Sequence, residues 1–151
     1  EPDIEQETQL VPGTDGQKMS KSYNNTIPIF GDEKFIRKQI MSIVTDSTPV
    51  AEPKDIKSPL FQLFVLFLNE KGKKDLKGRF LSSGLQYGDV KKELFETIIE
   101  YFRPFREKRE YLSGHMDYVY EQLLNGSNKA SAVADQILSK VRKVTGLNYK
   151  V

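Results

Sequence analysis

The sequence contains no cysteine, a single histidine and no apolar run long enough to cross a membrane, and each absence excludes a class of site. Without cysteine there is no disulfide, no thiolate metal ligand and no cysteine nucleophile, which is compatible with a reducing compartment. A lone His115 rules out most histidine-based metal sites, so we predict no protein-bound metal. The longest apolar block, residues 59–68, is about half of the roughly 20 residues that a membrane span requires. We interpret it as a buried helix.

Size and charge set further bounds. The 151 residues suffice for one ordinary domain, and 23 basic against 21 acidic side chains give a net charge of +2, so any basic surface must be local. The acidic first ten residues carry no signal-peptide pattern. The first methionine is Met19, and we therefore expect a chain that begins inside a longer protein.

The pattern of apolar residues predicts a mostly α-helical chain. Residues 1–25 show neither helical nor strand periodicity, whereas helical spacing recurs from Gly31 onward. We predict a small bundle of about five or six helices preceded by an irregular loop segment, with a boundary between residues 1–30 and residues 31–151.

Capping residues and prolines predict where individual helices begin. Asp32 is placed to cap the first helix, and Ser58 with Pro59 to open an apolar helix reaching about Leu68. Residues 73–84 predict a short, weak helix, because glycines interrupt them.

The second half of the chain predicts three more helical features. Asp89 is placed to cap a long helix that Pro104 should kink. A short helix should follow Gly114 and stop at residues 125–128, and a last helix capped by Ser127 or Asn128 should end at Gly146.

The most polar stretch is "DGQKMSKSYNN", residues 15–25. Lys18 and Lys21 stand three apart with Ser20 and Ser22 around them, after a glycine that permits a tight turn. Ammonium groups and hydroxyls suit phosphate oxygens, so this loop could hold a polyphosphate. Spacing alone favours the simpler interpretation of a solvated loop.

The exact amino-acid string of the loop favours phosphate binding over a merely solvated loop. "KMSKS", Lys18 to Ser22, resembles the signature loop of class I aminoacyl-tRNA synthetases, and "VPGTDGQKMSKSYNNTIPIF" is similar to its tryptophanyl-tRNA synthetase version. Three later segments, "IVTDS", "YGDVKKELFETI" and "RPFREKREYL", resemble that family's C-terminal helical region in order and spacing. The resemblance covers residues 11–146.

The resemblance implies a role in tryptophan activation, in which ATP and tryptophan give tryptophanyl-adenylate and pyrophosphate before transfer to tRNA(Trp). It implies that Lys18 and especially Lys21 stabilise charge on the pyrophosphate, with Mg²⁺ sharing that task. Met19 is expected to anchor the loop by packing, while Ser20 and Ser22 bind phosphate or shape the turn. Residues 1–30 would then be the tail of a catalytic domain and residues 31–151 an anticodon-binding-type helical domain.

The family's other signature, an HxGH-type histidine pair on a Rossmann domain, cannot exist in a chain whose only histidine is His115. We interpret His115 as a surface or helix-end residue. The tryptophan pocket and most of the adenosine site would also lie outside this chain, which alone should be inactive. The resemblance further implies a cytoplasmic homodimer, with dimer contacts mainly outside this chain.

Alternatives remain at this point. A tyrosyl-tRNA synthetase can carry a similar loop, and a non-catalytic helical RNA-binding or adaptor module could carry it incidentally. Two basic clusters can contact phosphates or simply be solvated: Arg103, Arg106, Lys108 and Arg109, and separately Lys140, Arg142 and Lys143. Six phenylalanines are predicted to be core residues and not base-stacking ones: Phe61, Phe64, Phe67, Phe95, Phe102 and Phe105.

Overall fold

The fold was analysed in a computed structural model, which describes residues 10–147. The predicted acidic lead-in over residues 1–9 and the last four residues lie outside that range. Within it are five α-helices: α1 (Glu33–Met41), α2 (Pro59–Val65), α3 (Glu70–Leu81), α4 (Tyr87–Ser113) and α5 (Met116–Thr145). The extended pairing in the same range is an isolated bridge between Pro12 and Lys18. The predicted mostly α class is confirmed, and residues 10–147 contain no Rossmann sheet.

The caps of the first two helices follow the sequence. Asp32 accepts a hydrogen bond from the Lys34 backbone N–H, and Ser58 accepts one from Phe61 N, as predicted. α2 ends three residues earlier than expected. The chain tightens there into i to i−3 bonds from Phe67 N and Leu68 N, and the next residue, Asn69, already caps α3.

The core gathers side chains from α1 to α4. Ile36, Leu60, Phe64, Phe80 and Leu94 are at most 1% exposed and represent all four helices. Five of the six phenylalanines predicted to be core pack in or against this cluster. The prediction for Phe105 was wrong, since its side chain is 57% exposed. Part of the helical stripe on α4 therefore continues beyond the residues that the core covers.

Two buried lysines hold chain segments by their ammonium groups. Lys54 Nζ donates to the carbonyls of Thr48 and Pro49, each at 2.6 Å. Lys91 Nζ donates to Ile43 O at 2.6 Å and to Met41 O at 3.1 Å. Burial lowers the pKa of Lys91, because the charged form loses hydration.

The start of α4 differs from the prediction. α4 begins at Tyr87, so Asp89 lies in its first turn and is not the N-cap. A carboxylate there still complements the positive end of the helix. Pro104 lies inside α4, and the kink predicted at this residue stays a prediction.

The predicted helix break at residues 125–128 was wrong. α5 runs without interruption through Gly126 and on to Thr145, so neither Ser127 nor Asn128 is a cap. Asn, Gly and Ser lower helix stability by about 1 kcal/mol at most, and no proline is present to force a stop. The predicted end is confirmed, since Gly146 has φ of 71°.

Contacts divide the chain into two compact units, one reaching Arg106 and one starting at Glu107. The first contains the core. In the second, α5 has no buried residue among those the structure describes. His115 precedes α5 and its Nδ1 lies 2.7 Å from Tyr111 O, as expected for a helix-end residue. The predicted boundary near residue 30 stays a prediction.

No helix within residues 10–147 combines the length and apolar character that a membrane span requires.

Paired glycine substitutions test the continuity of α5. We expect Gly126→Ala to stabilise the helix by about 1 kcal/mol, because alanine is the better helix former and nothing lies within 4 Å of the added Cβ. Gly146→Ala should instead cost about 1 kcal/mol or more, since alanine disfavours a left-handed backbone. Thermal unfolding followed by circular dichroism and amide hydrogen exchange measures both. Destabilisation by Gly126→Ala would indicate a break in the helix.

Candidate functional site

The loop that carries Lys18 and Lys21 is closed by backbone hydrogen bonds at its base. Met19 N donates to Val11 O at 2.9 Å, beside the bridge between Pro12 and Lys18. Inside that closure Gly13 N donates to Gln17 O at 2.6 Å. The loop therefore folds back on itself before the two lysines.

Gly16 makes the predicted tight turn. Its φ of 82° lies in the left-handed region, and its N–H donates to Gly13 O at 3.0 Å. A Cβ at this position would lie 2.9 Å from Pro59 Cγ, at the start of α2. Both the backbone angle and the space thus require glycine here.

The side chains of the loop point in different directions. Lys18 and Lys21 are exposed, and neither ammonium has an ion-pair partner within residues 10–147. Met19, between them, is partly buried and packs against the core, which confirms its predicted packing. Met19 thus anchors the loop to the core, while the ammonium groups of Lys18 and Lys21 stay accessible to solvent.

The two serines organise the turn around Lys21. Ser20 caps a short 3-10 turn, Lys21–Tyr23, and its Oγ accepts from Ser22 N at 3.3 Å. The two hydroxyl oxygens are 2.8 Å apart. These contacts fit the turn-shaping alternative of the two predicted roles, and phosphate binding by the serines stays a prediction.

The structure adds a residue that sequence reasoning missed. Asn25 is 2% exposed, and its Oδ1 accepts from Ser20 N at 2.8 Å. Its Nδ2 donates to Asp15 Oδ1 at 2.8 Å and to Lys18 O at 3.1 Å. A polar residue at the end of a polar stretch gives no sign of burial, so the pattern could not single it out.

A backbone relay joins the loop to the helical core. Thr14 N donates to Asn25 O at 2.9 Å, and Thr14 O accepts from Val44 N at 2.8 Å. Val44 follows Ile43, whose carbonyl binds the buried ammonium of Lys91. The position of the loop is thereby tied to the end of α1.

The charged groups of the loop suit an anion. Within residues 10–147 no group of three or more His, Asp or Glu side chains could hold a metal ion. The one carboxylate at the loop, Asp15, accepts from Asn25 and from the Gln17 backbone N–H. The hydrogen bond from Asn25 lowers the pKa of Asp15.

The basic cluster near the end of α4 is engaged within the chain. Arg106 donates to Ile29 O at 2.8 Å and to Gly31 O at 3.1 Å, which fixes the segment between the loop and α1. Arg103 pairs with Glu100 at 2.8 Å, and Lys108 Nζ lies 4.9 Å from the ring centroid of Tyr111. These contacts favour a structural interpretation of the cluster.

The comparison with protein families decides the affiliation. Residues 4–103 match the family described as tRNA synthetases class I (W and Y). The chain belongs to this family. Its loop residues Lys18 to Ser22 lie inside the matched range.

Individual relatives named as tryptophan–tRNA ligases are similar to the chain over most of its length. The chain is 48% identical over 147 residues to the tryptophan–tRNA ligase of Fusobacterium nucleatum subsp. nucleatum, covering 97% of this chain and 45% of the relative. It is 48% identical to that of Rhodopirellula baltica, covering 91% and 43%. The crystal structure of the Campylobacter jejuni tryptophanyl-tRNA synthetase complexed with ADP and tryptophan matches with a TM-score of 0.85 and 42% identity, over 95% of this chain and 45% of that one.

These comparisons confirm the resemblance to tryptophanyl-tRNA synthetases. The chain spans less than half the length of the relatives it matches. The roles of Lys18, Met19, Ser20, Lys21 and Ser22 at a nucleotide stay predictions.

The carboxyl of Asp15 gives a pH test of the loop. We expect it to titrate below its ordinary value of 3.8 in the folded chain, because Asn25 donates to the charged form. A depressed folded pKa means that this contribution to loop stability is present above pH 3.8 and is lost as the pH falls through the folded pKa. Carbon-detected NMR titration measures it. In Asn25→Ala the value should return toward 3.8, and equal titration in both chains would contradict the assignment.

Proposed function

We propose that this chain supplies the phosphate-binding loop and the tRNA-facing helical region of a tryptophan–tRNA ligase. The complete enzyme joins tryptophan to tRNA(Trp) by way of tryptophanyl-adenylate, with ATP as the energy source and pyrophosphate as the leaving group. The carrying observation is a pair of exposed lysines, without an ion-pair partner among residues 10–147, on a hydrogen-bonded loop in a chain 48% identical to a tryptophan–tRNA ligase.

The geometry of the loop supports roles for Lys18 and Lys21 at the triphosphate. Attack on the α-phosphorus moves negative charge onto the pyrophosphate, so cations held nearby lower the barrier if they are already in place. Packing of Met19 against the core and the closed base of the loop provide that placement. We assign catalytic roles to both lysines and nucleotide binding to residues 18–22.

Mg²⁺ enters this proposal only as part of the substrate. The residues that the structure describes offer hydroxyls and ammonium groups at the loop but no carboxylate cluster. A divalent ion would therefore be bound by the phosphates of ATP, and we assign no ligand of this chain to it.

The remaining parts of the reaction belong to the portion of the enzyme outside this chain. The tryptophan pocket and most of the adenosine site are proposed to lie there, together with most of the homodimer contacts. The isolated 151 residues are therefore proposed to be inactive in adenylate formation.

A chimaera tests the role of Lys21. This chain would replace the matching 45% of the Campylobacter jejuni enzyme. We expect tryptophan-dependent ATP–pyrophosphate exchange in the chimaera, and a loss of about 10²-fold in kcat for Lys21→Ala, as for removal of one preorganised donor. The matched control is Lys34→Ala, which removes an exposed lysine from α1.

Three outcomes contradict this proposal. A chimaera that binds tryptophan but catalyses no exchange would exclude a functional loop in this chain. In the full-length protein that contains this chain and its own amino-acid pocket, exchange supported by tyrosine in place of tryptophan would move the assignment to the tyrosine branch of the family. Unchanged kcat in Lys21→Ala would remove the proposed role of that ammonium.

The helical region is proposed to contact tRNA through phosphates. Lys140, Arg142 and Lys143 are exposed near the end of α5 and offer three positive charges. We expect the 151-residue chain to shift tRNA(Trp) in a gel assay, with an affinity that falls as salt rises, since phosphate contacts release counterions. Replacing these three residues by glutamine should weaken binding and flatten the salt dependence. Equal affinity for unrelated tRNAs would contradict a specific role.

A further inference from the structure

We propose that Asn25 is the positioning residue of the lysine loop, setting the placement of Lys18 and Lys21 at the triphosphate. The proposal rests on the function proposed above and adds a residue outside the signature string. Asn25 contacts no substrate in this assignment. It acts through the backbone of residues 18–20.

The side-chain amide of Asn25 is fully used. Its oxygen accepts from the backbone N–H of Ser20, and its nitrogen donates to Lys18 O and Asp15 Oδ1, at 2.8 to 3.1 Å. The three partners fix which atom is nitrogen, because a rotated amide would direct oxygen at two acceptors. Ser20 N and Lys18 O flank Met19, so the amide holds the backbone between the two lysines.

The space around Asn25 fits an asparagine side chain and leaves no room for a residue larger than glycine at position 13. Asn25 is 2% exposed, and a Cβ on Gly13 would lie 2.3 Å from its Cγ and Nδ2. Among residues 10–147 no buried side-chain nitrogen or oxygen lacks a hydrogen-bond partner. The backbone carbonyl of Asn25 also accepts from Thr14 N, and the carbonyl of Thr14 in turn accepts from Val44 N. Through its backbone and side-chain hydrogen bonds together, Asn25 thus links the position of the loop to that of the core.

The hydrogen bonds of the Asn25 side chain predict that replacing it by aspartate disrupts the loop. Asn25→Asp keeps the size and the acceptor for Ser20 N, but it places a carboxylate oxygen against the Asp15 carboxylate and the Lys18 carbonyl. Both contacts become repulsive, so the loop backbone must move. A second change, Asp15→Asn, removes one of these repulsions and restores a donor facing position 25. The double variant should therefore recover part of the lost geometry.

Amide exchange in the 151-residue chain is the first measurement. In Asn25→Asp the Ser20 amide should lose protection and shift in the ¹H–¹⁵N spectrum, with partial recovery in the double variant. The control is Asn24→Asp, the same change one residue away at an exposed position, which should leave the Ser20 amide unchanged. An unchanged Ser20 amide in Asn25→Asp would overturn the positioning role.

Kinetics in the chimaera are the second measurement. We expect Asn25→Asp to lower kcat for ATP–pyrophosphate exchange by about tenfold or more while the KM for tryptophan stays constant, because misplaced catalytic groups affect the transition state. Asn24→Asp should match the unsubstituted chimaera, and the double variant should regain activity. Wild-type kcat in Asn25→Asp, or an equal loss of tryptophan affinity, would overturn the proposal.

The two proposals fail separately. If Lys21→Ala has no effect, the proposed function of the loop fails whatever Asn25 does. If Lys21→Ala is impaired and Asn25→Asp is not, only the positioning role fails. Should Asn25→Asp not fold, Asp15→Ala removes a single partner at an exposed site and should produce a smaller change in the Ser20 amide; no change there would count against the proposal.

Discussion

The arrangement of the loop depends on how the carbonyl groups at the end of α1 are satisfied. Lys91 brings a buried ammonium from α4 to Met41 O and Ile43 O. A helix end that is buried without such a partner is costly, because its last carbonyls have no intrahelical donor. Once this contact holds residue 43, the next backbone N–H reaches Thr14 and through it the loop.

Sequence signals predicted the fold correctly where the interaction involved lies within a few residues of the chain. Asp32 and Ser58 cap helices because a short polar side chain can reach the backbone two or three residues later, whatever the tertiary context. The break predicted near Gly126 failed for a related reason. Turn-forming residues only lower helix stability by a modest amount, and a long apolar pattern on both sides outweighs them.

The residues of the candidate site also differ in whether the sequence could predict them. Lys18 and Lys21 are recognisable because their side chains alternate with serines in a distinctive string, and Gly16 is recognisable because a tight turn requires it. Asn25 is not, since its burial results from Gly13 and Asp15 approaching from earlier in the chain. Contacts between a loop and its own base carry no periodicity that a sequence pattern could reveal.

The bridge between Pro12 and Lys18 has an entropic consequence. It closes a short segment, and the conformational freedom lost on closing a loop grows with loop length. Because this bridge is present in the chain without a ligand, part of the ordering of this backbone precedes the arrival of any anion. Less conformational entropy remains to be lost on binding, so more of the attraction between ammonium groups and phosphate is available as affinity or as a lower barrier.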